Sequence, residues 1–178
     1  GSPRCVYTPS GTARLYAHRK TPTGAEIVCA ICDAPDADQE PPEFYVESNA
    51  AGVCIAQELK YETLTVYAPE VVRWRRPNGS WGWRMYYAGW MHDSAGTRGY
   101  ILSATSEDGS AGSWAKDVVP VLEPGGRLDM VKCSEPCVYE IPSAEGRGST
   151  FRLLYEACDG TAANETGVWR ILSATASL

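Results

Sequence analysis

Phenylalanine and histidine are nearly missing from this 178-residue sequence, which has two of each. No stretch approaches the roughly 20 apolar residues that a membrane-spanning helix needs. Residues 1–20 also lack the charged-then-apolar pattern of a signal peptide. Basic residues are outnumbered, 16 Lys and Arg against 22 Asp and Glu, for a net charge of −6. With no basic stripe to offset it, that balance argues against nucleic acid or an anionic membrane as the main partner. An even cysteine framework is lacking too. Seven cysteines, in a chain long enough to bury its own core, read as reduced thiols in a cytoplasmic protein, with a removed secretion leader as the alternative. No motif implies a cofactor.

Cys29 and Cys32 form a C-x-x-C, which invites a zinc or redox reading. In a strand of period two they point to opposite faces. Cys29 also shares its place in a repeat with Ser103 and Ser173, so a small packed residue is expected there rather than a metal ligand. Cys133, Cys137 and Cys158 fall near one another and are candidates for a reactive thiol. Asn78-Gly79-Ser80 and Asn164-Glu165-Thr166 are sequons that matter only in a secretory pathway.

What the sequence has in excess is large amphipathic rings, six Trp and ten Tyr. Such rings suit sheet cores and, equally, the walls of sugar or small-molecule pockets. They sit in a pattern that occurs three times. Ser2-Pro3-Arg4-Cys5-Val6, Arg14-Leu15-Tyr16-Ala17-His18 and Ile27-Val28-Cys29-Ala30 correspond to Ala68-Pro69-Glu70-Val71-Val72, Arg84-Met85-Tyr86-Tyr87-Ala88 and Ile101-Leu102-Ser103-Ala104. Glu135-Pro136-Cys137-Val138-Tyr139, Arg152-Leu153-Leu154-Tyr155-Glu156 and Ile171-Leu172-Ser173-Ala174 repeat them again. A period of about 66 residues, made of short apolar runs separated by Gly, Pro, Asn and Asp, is the signature of a repeated antiparallel β-unit.

The fold expected is therefore all-β and β-propeller-like, with about three four-stranded antiparallel blades in one domain. Blade 1 covers about 1–66, blade 2 about 67–132 and a partial blade 3 about 133–178. In the second blade the strands are predicted at Glu70–Arg75, Trp83–Gly89, Gly99–Thr105 and around Trp114–Leu122. Pro77-Asn78-Gly79 makes the first hairpin turn, because Asn-Gly tolerates positive φ. The first blade repeats this order, with its last strand at Gly52–Glu58 after a longer linker over 34–51 that holds Pro35, Pro41 and Pro42. A short helix over Asn49–Leu59 competes there. The third blade ends without a fourth strand. Three blades cannot close a ring of roughly four to eight, and an open one exposes sheet edges. A homodimer forming a six-bladed ring is the simplest completion, with a partner carrying the missing blades as the alternative.

In such a blade the start of the first strand and the end of the second lie on one rim. This gathers Arg4, Glu70, Glu135, His18, Arg19, Trp90, His92, Asp93, Glu156 and Asp159. Positions alike in all copies, such as Pro3/Pro69/Pro136 and Arg14/Arg84/Arg152, read as scaffold. Rim positions that change chemical type, such as His18/Ala88/Glu156 and Ser2/Ala68/Glu135, read as candidate site residues, against the plainer reading of solvated polar groups. Glu135 is the sharpest candidate. Beside aromatic walls its pKa would rise toward a general-acid range, unless it merely fixes a neighbouring backbone. His18 and His92 are the only side chains suited to proton exchange near neutrality, or else structural histidines.

The runs Ala68-Pro69-Glu70-Val71-Val72, Trp83-Arg84-Met85-Tyr86-Tyr87, Ile101 to Gly109 and Ser134-Glu135-Pro136-Cys137-Val138 resemble blades of the arabinanase, xylosidase and fructosidase superfamily of glycoside hydrolases. That resemblance implies a five-bladed propeller with catalytic carboxylates at the channel mouth, and it matches Glu135 to the general acid. The acidic partner implied is an Asp directly before the Pro of another blade, where this chain has Ser2 and Ala68. Glu70, Asp93, Glu156 or a residue from a second chain could substitute for it.

Three functions follow. The first is an acid/base enzyme on a carbohydrate or other small molecule, hydrolytic or of a cyclase or isomerase type. Its catalytic residues would be Glu135, His18 and Glu156, and Arg4, Arg19, Glu70, Tyr86, Tyr87, Trp90, His92 and Asp93 would contact the substrate. The second is a non-catalytic carbohydrate-binding or ligand-binding module. The third is a scaffold whose edges pair with a partner. Fold alone does not choose among them.

Overall fold

In a computed structural model the chain is all-β. Residues 1–33, 43–76, 78–94, 96–142, 149–160 and 167–177 are described. Three antiparallel meanders follow one another. The first is β1 (Arg4–Tyr7), β2 (Ala13–Thr21) and β3 (Gly24–Cys32), with β4 (Tyr45–Val46) and β5 (Val53–Ile55) both pairing along β3. The second is β6 (Thr65–Arg75), β7 (Trp81–Asp93) and β8 (Gly96–Ser106), edged by β9 (Ala115–Lys116). The third is β10 (Lys132–Pro142), β11 (Ser149–Cys158) and β12 (Trp169–Ser177). A parallel pairing of Lys132 with Gly99 joins the last two meanders.

The registers of the three meanders correspond. Leu15, Met85 and Leu153 stand opposite Ala30, Ala104 and Ala174, while His18, Ala88 and Glu156 stand opposite Ile27, Ile101 and Ile171. Because strand side chains alternate, each meander has two distinct faces. Tyr16, Ile27 and Cys29 of the first meander pack against Val71, Met85, Tyr87, Leu102 and Ala104 of the second. Val72, Tyr86 and Ile101, on the other face of the second, pack against Val138, Leu153 and Tyr155 of the third. Every such large apolar side chain removed from water contributes about 1.5–3 kcal/mol.

The repeated arginine is scaffold in a physical sense. Arg14 Nη1 bonds the Glu47 carboxylate at 3.0 Å, and Arg84 Nη2 bonds Asp117 at 2.6 Å, so the first two meanders each fasten an outer segment with the same kind of ion pair. The Ser106-Glu107-Asp108-Gly109 turn is also fixed across meanders. Tyr16 Oη donates to the Gly109 carbonyl at 2.6 Å, and Gly109, at φ +76°, would drive a Cβ to 2.7 Å from that hydroxyl.

The strands run longer than the sequence predicts and the outer ones shorter. β6 begins at Thr65 rather than Glu70, because a bulge between Tyr67 and Glu70 interrupts the ladder without ending it. The strand predicted over Gly52–Glu58 is realised only as β5, and the one around Trp114–Leu122 only as β9 with a single bridge between Ile101 and Leu122. Pro120, which offers no N–H to a ladder, lies between those two stretches. In place of the competing helix over Asn49–Leu59 there is one 3-10 turn at Asn49–Gly52, inside which Ala50 and Ala51 take positive φ. Pro35, Pro41, Pro42, Pro77 and the sequon at Asn164 lie outside the described residues.

A buried carboxylate secures the segment leading into β6. Glu62 is fully buried; it accepts N–H bonds from Glu58 and Leu59 at 2.8 Å each, the Tyr87 hydroxyl at 2.8 Å and the Lys116 ammonium at 2.8 Å. Removing such a carboxylate strands its donors, so Glu62→Ala should cost roughly 3–5 kcal/mol. Urea denaturation should show the midpoint falling by the corresponding amount, with Glu62→Gln recovering part of it.

Candidate functional site

Three residues that occupy the same place in the repeat share an unusual backbone. Ser2, Ala68 and Glu135, each just before a proline, have φ of 47°, 52° and 47°. The left-handed region costs a residue with a Cβ about 1–2 kcal/mol, and each of the two later positions coincides with a bulge, between Tyr67 and Glu70 and between Ser134 and Cys137. The bulge tips these side chains out of the strand alternation. Their surroundings are two adjoining clefts that share Glu135. One, of about 270 Å³, is lined by Ser2, Arg4, Ala68, Glu70 and the three prolines. The other, of about 370 Å³, is lined by Tyr67, Trp90, Glu135, Glu156 and Trp169.

Glu70 ties the floor of the first cleft together. Its carboxylate meets Arg4 Nε at 3.2 Å and accepts the Val138 N–H at 3.1 Å, so one side chain reaches both neighbouring meanders. Burial pushes its pKa up, against the pull of Val138 and Arg4. Aromatic rings wall the second cleft. Tyr67 lies edge-on to Trp90 at 5.4 Å and to His18 at 6.0 Å. Lys132, fully buried, holds its ammonium 3.7 Å from the Trp90 ring centre and 5.2 Å from that of Trp169, a cation between two π faces.

Glu135 is exposed, yet the partial burial of its carboxyl by the cleft still raises it above the ordinary 4.5. The charge of Glu156 adds to this, and a hydrogen bond from Ser2 opposes it. Glu156 in turn accepts the Ser134 hydroxyl at 3.2 Å. Two carboxylates share one cleft, and the first holds its proton more tightly than a free carboxyl does, an arrangement suited to passing a proton to a bound group.

The other candidates divide by position. Trp90 is in the aromatic cleft and Arg4 and Glu70 in its neighbour, whereas His18 lines neither and touches the site through Tyr67. Burial, the terminal ammonium and Lys20 lower the His18 pKa, and its buried Nδ1 has no hydrogen-bond partner among the described residues. Arg19 is engaged with Glu26 at 2.5 Å on an exposed stretch. His92 and Asp93 are exposed at the β7–β8 hairpin, His92 Nδ1 lying 3.3 Å from the Thr97 hydroxyl. Tyr86 and Tyr87 do not wall the mouth. They are mid-strand, and alternation sends Tyr86 between the second and third meanders and Tyr87 into the core, where its hydroxyl meets Glu62. Asp159, also expected on the rim, pairs with Arg170 at 2.6 Å.

Sequence reasoning missed Tyr67, Lys132 and Trp169. Tyr67 and Ser134 directly precede the left-handed residues, so the slot itself pointed to them. A lysine between Val131 and Cys133, in a run otherwise suited to a buried strand, was the signal for Lys132. Neither cysteine group expected from the sequence forms, and Cys29 instead meets Cys54 in the core. Cys29 faces Arg14 Nη1 at 3.7 Å inside the first core, with Cys32 on the opposite face. Cys133 and Cys158 are buried in different clusters, and Cys137 is exposed.

A thermostable family-43 glycoside hydrolase superimposes on 99% of this chain with a TM-score of 0.64 and 17% identity. The fold is propeller-like. This chain spans 48% of that hydrolase, about half its length. An N-acetylgalactosamine deacetylase from F. plautii, in complex with blood group B trisaccharide, aligns over 99% of this chain and 72% of its own at a TM-score of only 0.37 and 14% identity, too low to bear on the fold. No protein-family model matches, and no curated protein does.

The raised Glu135 pKa fixes a sign. A carboxyl whose folded pKa lies above its unfolded one contributes stability that is fully present below the ordinary value of 4.5 and lost as pH rises through the raised one. Glu135→Gln should therefore be more stable than wild type at about pH 7, with the difference vanishing by about pH 3.5, as read by urea denaturation at both values.

Proposed function

We propose that this chain forms the ligand mouth of a carbohydrate-active β-propeller, its meanders being three four-stranded blades with the third incomplete, and that Glu135 donates a proton there to a bound glycoside or related small molecule. The observation that carries this reading is Glu135 itself, held with a raised pKa beside Glu156 in an aromatic cleft. The rings of Tyr67, Trp90 and Trp169 suit the apolar face of a sugar, and the carboxylates suit its hydroxyls. Glu156 lines the same cleft, adds its charge to the burial that raises the Glu135 carboxyl, and is a second carboxylate in reach of the same ligand. The propeller-like fold shared with part of a family-43 glycoside hydrolase supports the substrate class.

Ala68 and Ser2 favour a second reading, recognition without turnover. Hydrolysis of a glycoside needs two carboxylates flanking the bond, and in the two slots equivalent to Glu135 this chain has a methyl group and a hydroxyl. Tryptophan fluorescence separates the readings, because Trp90 and Trp169 both line the cleft. Arabino- and xylo-oligosaccharides should give a saturable change, and Glu135→Gln should lower kcat by about 10²–10⁴ while leaving the dissociation constant within about threefold. Saturable binding with no product released would establish the recognition module instead. No saturable response to any glycoside would discard the carbohydrate reading.

A further inference from the structure

At the end of the strands away from the mouth, the first and second meanders enclose a further cleft of about 450 Å³. The β1–β2 turn contributes Thr8, Ser10 and Thr12 to it, the second meander Arg73, Trp81 and Trp83, and the turn after β8 Glu107 and Asp108. β7 runs from Trp81 at this cleft to Trp90 at the mouth, about 30 Å of extended chain, so the two places are distinct.

The repeat shows which of these residues are particular to this end. Where the second meander has Arg73 opposite Trp83, the first has Tyr7 opposite Ala13 and the third has Glu140 opposite Phe151. Trp81 takes the place held by Gly11 and Ser149 in the other copies. Only the second meander therefore sets a guanidinium against two indoles, with Arg73 Cζ 4.9 Å from the Trp81 ring centre and 6.0 Å from that of Trp83. Trp83 belongs to the core, whereas Trp81 is 58% exposed and offers open ring surface beside the cleft.

The charges around the cleft reduce to two. Arg14 is neutralised by Glu47 at 3.0 Å, and Glu107 by Arg76 at 2.7 Å. Arg73 has no acidic partner among the described residues and keeps its donors for another group. Asp108 uses Oδ1 for the Ser110 N–H at 2.9 Å and the Ser110 hydroxyl at 2.7 Å. Partial burial works to raise this carboxyl, but the Ser110 bonds hold it below its ordinary 3.8, so it stays an acceptor. An anion would be drawn to Arg73 and repelled by Asp108, and a cation the reverse. A zwitterionic amino acid matches both charges but leaves most of the cleft empty. A hydroxyl accepts from the guanidinium and donates to the carboxylate. A saccharide combines such hydroxyls with a flat C–H face for an indole.

We propose that this cleft is a second binding site of the chain, taking a short stretch of neutral oligosaccharide stacked on Trp81 with its hydroxyls between Arg73 and Asp108. The site is independent of the mouth and holds whether or not the mouth binds or cleaves a sugar.

NMR of the indole N–H signals of the 178-residue chain tests it, with neutral arabino-, xylo-, gluco- and galacto-tetraoses as probes. Trp81→Phe identifies the Trp81 signal by removing it. That signal should move saturably at millimolar concentration with at least one of the four sugars, while the Trp90 and Trp169 signals report the mouth separately. Arg73→Gln should weaken the Trp81 response at least about tenfold, and Glu135→Gln should leave it unchanged. Arg73 is exposed, so its variant should keep the wild-type melting midpoint, which separates lost binding from lost fold. A Trp81 signal indifferent to all four sugars would overturn the proposal. A stronger response to trigalacturonate or to free amino acids would overturn it in favour of an anion or a zwitterion. An Arg73→Gln variant that binds as tightly as wild type would overturn it too.

Discussion

Glu70 is the point on which the inner part of this structure turns. The three meanders meet where their first strands run side by side, and there a single buried carboxylate takes an ion pair from Arg4 and a backbone N–H from Val138. A carboxylate so buried is favourable only while both donors stay in place. That requirement sets the spacing of β1, β6 and β10, and with it the separation of the three left-handed residues that stand just before the prolines. The mouth is thus defined by a polar tie, whereas the walls behind it are held by apolar layers between successive meanders.

Those layers explain why the site can be polar at all. Tyr16, Met85 and Tyr87 on one side and Ile101, Leu153 and Tyr155 on the other remove enough apolar surface from water to tolerate a raised Glu135 carboxyl and a lysine enclosed by two indoles. Lys132 and Glu135 are three residues apart on β10, and Glu156 reaches the cleft from the adjacent β11. One hairpin therefore supplies the cation and both acids, while the second meander supplies Tyr67 and Trp90.

Much of this could be read in the sequence, because a repeat tells strand from turn and scaffold from variation. The Arg14 and Arg84 correspondence became two ion pairs of the same kind, and Glu135 and Glu156 came together in one cleft as their rim positions implied. What escaped was local. A proline-flanked bulge extends β6 back to Thr65, a register effect that no propensity announces, and it brings Tyr67 into the site. Tyr86 and Tyr87 were misplaced because a conspicuous aromatic pair says nothing about how far along a strand the mouth lies. Trp169 stands at the start of β12 and is brought to the cleft by the pairing of that strand with β11, which no local pattern announces.

Ala68 carries the least chemistry of the three left-handed residues and the most information. It holds nearly the same strained backbone as Glu135 with no functional group to position. The strain therefore belongs to the frame of bulge and proline, and is present whatever side chain stands there. Each such position is a socket already aimed at the mouth. A lineage built on this frame can gain or shed an acid, a hydroxyl or a methyl group by one codon without refolding the strand that carries it, so that closely related chains of one shape could differ in whether they cleave, bind or do neither.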